Sequence, residues 1–102
     1  MVQLIEDNRQ ALAELCGRYH VRRLEIFGSA TTGQFDPDRS DLDFLVEFDS
    51  AADLNAFDQY FGFLEALEAL FGRHVDLVEP GAMTNPYFIR RVNQSRTTVY
   101  AA

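Results

Sequence analysis

An α/β (α+β) fold, a small mixed β-sheet with flanking helices, is what this chain predicts. Stretches with apolar residues at helical spacing alternate with short, β-prone runs. The chain has 102 residues, enough for one hydrophobic core, so 1–102 reads as a single domain. Apolar residues make up 47% of it, nine Phe among them, which is a globular rather than a disordered composition.

Element by element, Gln3 to Tyr19 reads as an amphipathic helix, with Leu4, Ala11, Leu12, Leu15, Cys16 and Tyr19 on one stripe. Val21 to Phe27 reads as a strand, rich in β-prone side chains. Gly28 to Ser40 reads as a loop with a short helical turn after Ser29, and Asp36-Pro37-Asp38 is turn chemistry. Asp41 to Asp49 reads as a second strand. Leu42, Phe44, Val46 and Phe48 share one face of it; Asp41, Asp43, Leu45 and Glu47 share the other.

Asp53 is the predicted N-cap of a long helix running to Phe71, and Gly72 its stop. Gly62 inside that helix costs about 1 kcal/mol against Ala, which points to a close contact there. Arg73 to Glu79 reads as a third strand, ended by Pro80-Gly81. Asn85-Pro86 predicts a cap followed by Pro in the first helical position, then a short helix over Tyr87 to Asn93. Thr97 to Tyr100 reads as a last strand. The first two strands are joined too closely to run parallel, so an antiparallel pair is expected. The third follows a long helix, which suits a parallel neighbour of the second.

Composition excludes several functions. The net charge of −7 argues against a broad nucleic-acid footprint. No lysine occurs, so a Walker-type phosphate loop and Schiff-base catalysis are excluded. The single cysteine, Cys16, rules out an internal disulfide and a multi-thiolate metal site, and reads as a small core residue. No apolar run reaches the roughly 20 residues that span a bilayer, and the first residues carry no secretion signal. The expectation is a cytoplasmic protein without membrane contact.

The chemistry concentrates in FGSATTGQFDPDRSDLDFLVEF, Phe27 to Phe48. Asp41 and Asp43 project from the same strand face, their Cα atoms roughly 6–7 Å apart. Such a pair can ligate a shared divalent ion, and all-oxygen ligands suit Mg²⁺ or Mn²⁺. Taken alone, Asp-x-Asp is more often a solvated strand face. Gly28-Ser29 after an apolar strand lets backbone approach a phosphate, and a helical turn opening at Ser29 aims N–H groups at an anion. Taken alone, that is a Gly turn with a Ser cap. Together the two read as a phosphate cradle beside a metal site.

The same run resembles the nucleotidyltransferase superfamily of DNA polymerase beta, in its smallest form, the minimal nucleotidyltransferases. Gly28, Ser29, Gly33, Ser40, Asp41 and Asp43 match the family signature, and RHVDLVEP looks like the strand bearing its third carboxylate, Asp76. NPYFIRR through TTVY is also similar to these small proteins. Thr31-Thr32 stands where many relatives carry Ala-Arg.

The resemblance implies a polymerase beta-like palm fold. It implies transfer of AMP from ATP to a hydroxyl acceptor, with Asp41, Asp43 and Asp76 as catalytic residues holding two Mg²⁺. Gly28, Ser29, Gly33 and Ser40 would bind the nucleotide. It implies a HEPN-domain toxin as partner, adenylylated on tyrosine, with this chain as antitoxin. Two alternatives stay open: a non-catalytic binding antitoxin or assembly subunit, and a small-molecule nucleotidyltransferase completed by a partner subunit. An oligomer is compatible with either. His20 and His74 read as surface or satisfied histidines, and Tyr87 and Phe88 as core or interface.

Overall fold

The computed structural model describes residues 3–32, 36, 40–49 and 55–102. The elements are α1 (Gln3–Asp7), α2 (Arg9–Arg18), β1 (Val21–Phe27), α3 (Ser29–Thr32), β2 (Leu42–Phe48), α4 (Ala56–Phe71), β3 (Val75–Val78), a 3-10 turn (Pro80–Ala82), α5 (Pro86–Ser95) and β4 (Thr97–Ala101). The four strands form one sheet in the order β3-β2-β1-β4. β1 runs antiparallel to β2 and to β4, and β2 runs parallel to β3. The expected mixed sheet with flanking helices is therefore present, with both expected pairings.

Local signals explain most element boundaries. Asn85 accepts hydrogen bonds from the Tyr87 and Phe88 backbone N–H groups, and Pro86 fills the first turn of α5. That helix runs on to Ser95, past the expected end at Asn93. Gly72 closes α4 in the left-handed conformation, φ 64°, where a Cβ is costly. The cap of α4 differs from the expectation. Asn55, not Asp53, accepts from the N–H groups of Phe57 and Asp58; Asp53 lies outside the described residues. The first helix is also split. It breaks at Asn8, whose ψ of 14° leaves the helical range and whose side-chain amide donates back to the Leu4 carbonyl at 2.8 Å. Asn competes with the helix ladder in this way.

Strand alternation gives the sheet two covered faces of unequal depth. On one face Leu24, Ile26, Leu42, Phe44 and Val46 meet Leu12 and Cys16 of α2 and Phe63, Leu67 and Phe71 of α4. Phe44 and Phe63 are completely buried, each stabilising the fold by about 2–3 kcal/mol through area removed from water. The expected tight spot at Gly62 is real: a Cβ there would stand 2.7 Å from Cε1 of Tyr19. Gln59 pins the same two helices by donating to the Tyr19 carbonyl at 2.9 Å. On the other face a smaller cluster joins Phe27, Leu45 and Val92. Alongside it Glu25, 5% exposed, accepts hydrogen bonds from Nε (3.0 Å) and Nη2 of Arg96. Among the described residues no helix is long and apolar enough to cross a membrane.

Candidate functional site

The site is built where three neighbouring strands end side by side. Phe27, the last residue of β1, is the register partner of Asp43, and Asp43 is in turn the partner of Asp76. The parallel pairing of β2 with β3 thus sets two carboxylates next to each other, from residues 33 positions apart in the chain. Asp41 precedes β2, and the Leu42 N–H donates to the His74 carbonyl at 3.3 Å, so Asp41 comes alongside the start of β3. One oxygen each of Asp41 and Asp76 and one ring nitrogen of His74 all lie within 4.8 Å of one another.

Gly28 turns the chain away from β1 against this acid cluster. Its φ is 76°, and a Cβ on it would collide with Oδ2 of Asp43 at 2.5 Å. The positive φ demands glycine, and a larger residue would also push the Asp43 carboxylate aside. The turn is fixed on two sides. Thr31 donates to the Gly28 carbonyl through its N–H at 3.0 Å and its hydroxyl at 2.9 Å, and the Gly28 N–H donates to Oγ of Ser95 on α5 at 3.2 Å. The short helix expected after Ser29 is α3.

Electrostatics follow from the crowding. Burial, the hydrogen bond and charge of Asp76, and the charge of Asp41 push the Asp43 carboxyl up to about 6 from its ordinary 3.8, against an opposing pull from His74. His74 Nε2 stands 3.0 Å from Asp76 Oδ1 and Nδ1 stands 3.4 Å from Glu68 Oε2. The Asp76 contact raises the His74 value above its ordinary one.

A pocket of about 490 Å³ opens beside Gly28 and Ser29, with Asp43, Phe88, Arg91 and Ser95 in its walls. A second hollow of about 430 Å³ adjoins it, walled by Asp43, Tyr60, His74 and Asp76 among others. Phe27 and Phe88 line both, and their rings meet edge to face with centroids 6.0 Å apart. A divalent cation fits this donor set. Several carboxylate oxygens converge, no thiolate is near, and a positive ion relieves the repulsion that raises Asp43.

Of the residues singled out in the sequence, Gly28, Ser29, Asp41, Asp43 and Asp76 come together. Ser40 instead braces the backbone around it. Its hydroxyl accepts from the Asp36 N–H at 2.9 Å, and its carbonyl accepts from Arg73 Nη1 at 3.1 Å. Gly33 lies outside the described residues. Tyr87 is not core; it is 75% exposed, while Phe88, 38% exposed, rests on Phe27. Sequence reasoning missed His74, Phe88, Arg91 and Ser95 as neighbours of the site. For His74 a signal existed, because His74-x-Asp76 on a strand places both side chains on one face. Arg91 and Ser95 needed the docking of α5, which no local pattern encodes.

Residues 8–99 match the nucleotidyltransferase domain family. A Methanocaldococcus jannaschii protein named as a protein adenylyltransferase is 35% identical over 91 residues, covering 89% of this chain and 86% of that one. A solved chain named as a minimal nucleotidyltransferase superposes with a TM-score of 0.74 at 28% identity, over 93% of this chain and 92% of that one. A chain from the complex of a tri-AMPylated Shewanella oneidensis HEPN toxin with an MNT antitoxin shares the fold at 16% identity. Its TM-score is 0.64, over 96% of this chain and 73% of that one.

Proposed function

Because this chain belongs to the nucleotidyltransferase domain family, we propose that it is a protein adenylyltransferase acting as an antitoxin. It moves AMP from ATP to a tyrosine hydroxyl of a HEPN-domain toxin. One observation carries this reading: Asp43 and Asp76 meet in register with Gly28 pressed against them. Such a cluster has no use in a purely structural sheet face, where it costs stability. The names borne by the relatives support the same reaction class, and the solved toxin–antitoxin complex suggests the partner.

In this reading ATP lies in the pocket of about 490 Å³, its phosphates on the Gly28-Ser29 turn and facing Arg91. Asp41, Asp43 and Asp76 would hold two Mg²⁺, which would supply charge neutralisation at the phosphates and a more acidic acceptor hydroxyl. The tyrosine oxygen attacks the α-phosphorus, forming a new P–O bond. The bond from that phosphorus to the oxygen bridging to the β-phosphate breaks, and pyrophosphate leaves with the electron pair. Asp76 accepts the hydroxyl proton. Positioning and charge compensation supply the acceleration. The acid cluster is open, with the Asp76 side chain 53% exposed, so an acceptor carried on another protein can reach it.

The test is incubation of the chain with α-labelled ATP, Mg²⁺ and a purified HEPN-domain toxin. Label should appear on the toxin, disappear when its tyrosines become Phe, and disappear with Asp41→Ala or Asp43→Ala. Neutralisation of the toxin without label would instead establish a non-catalytic antitoxin.

A further inference from the structure

The acid cluster contains a donor that the proposed reaction does not use. His74 stands just before β3, two residues from Asp76, and their side chains meet. Nε2 of His74 stands 3.0 Å from Asp76 Oδ1, and one ring nitrogen of His74 and one oxygen each of Asp41 and Asp76 lie within 4.8 Å of one another. The other ring nitrogen stands 3.4 Å from Glu68 Oε2 on α4. Glu68 is itself held, accepting the Val75 backbone N–H at 3.1 Å.

This chain of contacts has a chemical meaning. Carboxylates flank both ring nitrogens, Asp76 at Nε2 and Glu68 at Nδ1; a cation taking the place of the Nε2 proton would leave the Nδ1 proton held toward Glu68. Two acceptors facing each other need a proton or a cation between them. A carboxylate behind a histidine, fixing its tautomer and ring orientation, is the usual outer support of a metal-binding imidazole. An imidazole nitrogen is a poor partner for Mg²⁺, which demands oxygen ligands, and an acceptable one for first-row transition ions. With Cys16 buried in the core, no thiolate is at hand to draw a softer metal.

We propose that His74 is a metal ligand, supported by Glu68, and that with Asp41 and Asp76 it makes one cation position select a first-row transition ion such as Mn²⁺ over Mg²⁺. This rests on the reading of Asp41 and Asp76 as cation ligands. The imidazole then sets which metal occupies the position, while the carboxylates set that a metal occupies it. Glu68→Gln weakens the same preference by loosening the ring.

The experiment is calorimetric titration of the whole chain with MnCl₂ and with MgCl₂, for wild type, His74→Gln and Glu68→Gln. Wild type should bind Mn²⁺ about tenfold or more tightly than Mg²⁺. His74→Gln should lose roughly tenfold or more in Mn²⁺ affinity with Mg²⁺ affinity nearly unchanged. Pulsed EPR of the Mn²⁺-loaded, ¹⁵N-histidine-labelled chain should show a directly bound nitrogen that vanishes in the variant. Since the His74 side chain is 60% exposed, the variant should fold, which circular dichroism checks. If both metals bind but their affinity ratio ignores His74→Gln, or no nitrogen coupling appears, the inference fails alone. If wild type binds neither ion, the underlying reading of the aspartates fails with it.

Discussion

The two faces of the sheet are made by the same strands and differ in almost everything else. Under α2 and α4, Leu42, Phe44 and Val46 alternate into a continuous apolar layer. On the reverse, the intervening residues of β2 include half-buried Asp43, and α5 covers only the small cluster of Phe27, Leu45 and Val92. One face removes apolar area from water; the other gathers like charges that oppose folding. The lesson is that period-two alternation lets one strand serve stability and chemistry together, each on its own side.

Substitutions can break or sharpen that contrast. The largest effect belongs to the packed face. Phe44→Ala should cost about 3–5 kcal/mol of unfolding free energy, read by urea denaturation, while the folded fraction keeps the cation binding proposed for the acid cluster. Loss of binding without loss of stability would erase the distinction between the faces.

Next in size, Asp43→Asn should lower AMP transfer by about 100-fold or more and yet raise thermal stability of the metal-free chain. The sign follows from the carboxyl being raised to about 6. The folded form holds this proton more tightly than the unfolded form, so ionisation above that pH destabilises the fold. Melting in EDTA should show wild type gaining stability through Asp43 as pH falls from 7.5 to 5, a gain absent from the variant.

Glu25 gives the opposite pH signature. Arg96, first by hydrogen bonding, holds its carboxyl below the ordinary 4.5. Its contribution is therefore present above that value and lost as pH falls through the lower folded one. Arg96→Met should cost about 2 kcal/mol at pH 7 and less in acid, measured by urea melts at both pH values. The smallest effect should come from Arg91→Ala, a change at an exposed helix position. A rise of about fivefold in KM for ATP, with kcat and stability nearly unchanged, is expected for one solvent-screened phosphate contact.

How much of this could be read in the sequence depended on range. Asn85-Pro86, Gly72 and the alternation over Leu42–Phe48 are local signals, and each produced the element it announced. Gly28, Asp43 and Asp76 were legible through their resemblance to a family signature, but the register that joins Asp43 to Asp76 is a property of the sheet. The break at Asn8 and the cap at Asn55 were missed because Asn and Asp serve either role. Glu25 also escaped notice: an acid inside a strand looks solvated until its partner, 71 residues later in the chain, is known.

The position of β4 has its own consequence. Residues 97–101 pair with β1, a strand made well before them. A nascent chain that has emerged from the ribosome only through α5 therefore carries β1 with one row of backbone donors and acceptors unmatched. Ser95, which braces the Gly28 turn, and Arg96, which neutralises Glu25, emerge just before that strand. The Gly28 turn therefore gains its Ser95 brace only after α5 is made, and until β4 follows, the growing polypeptide presents an edge for chaperones to shield.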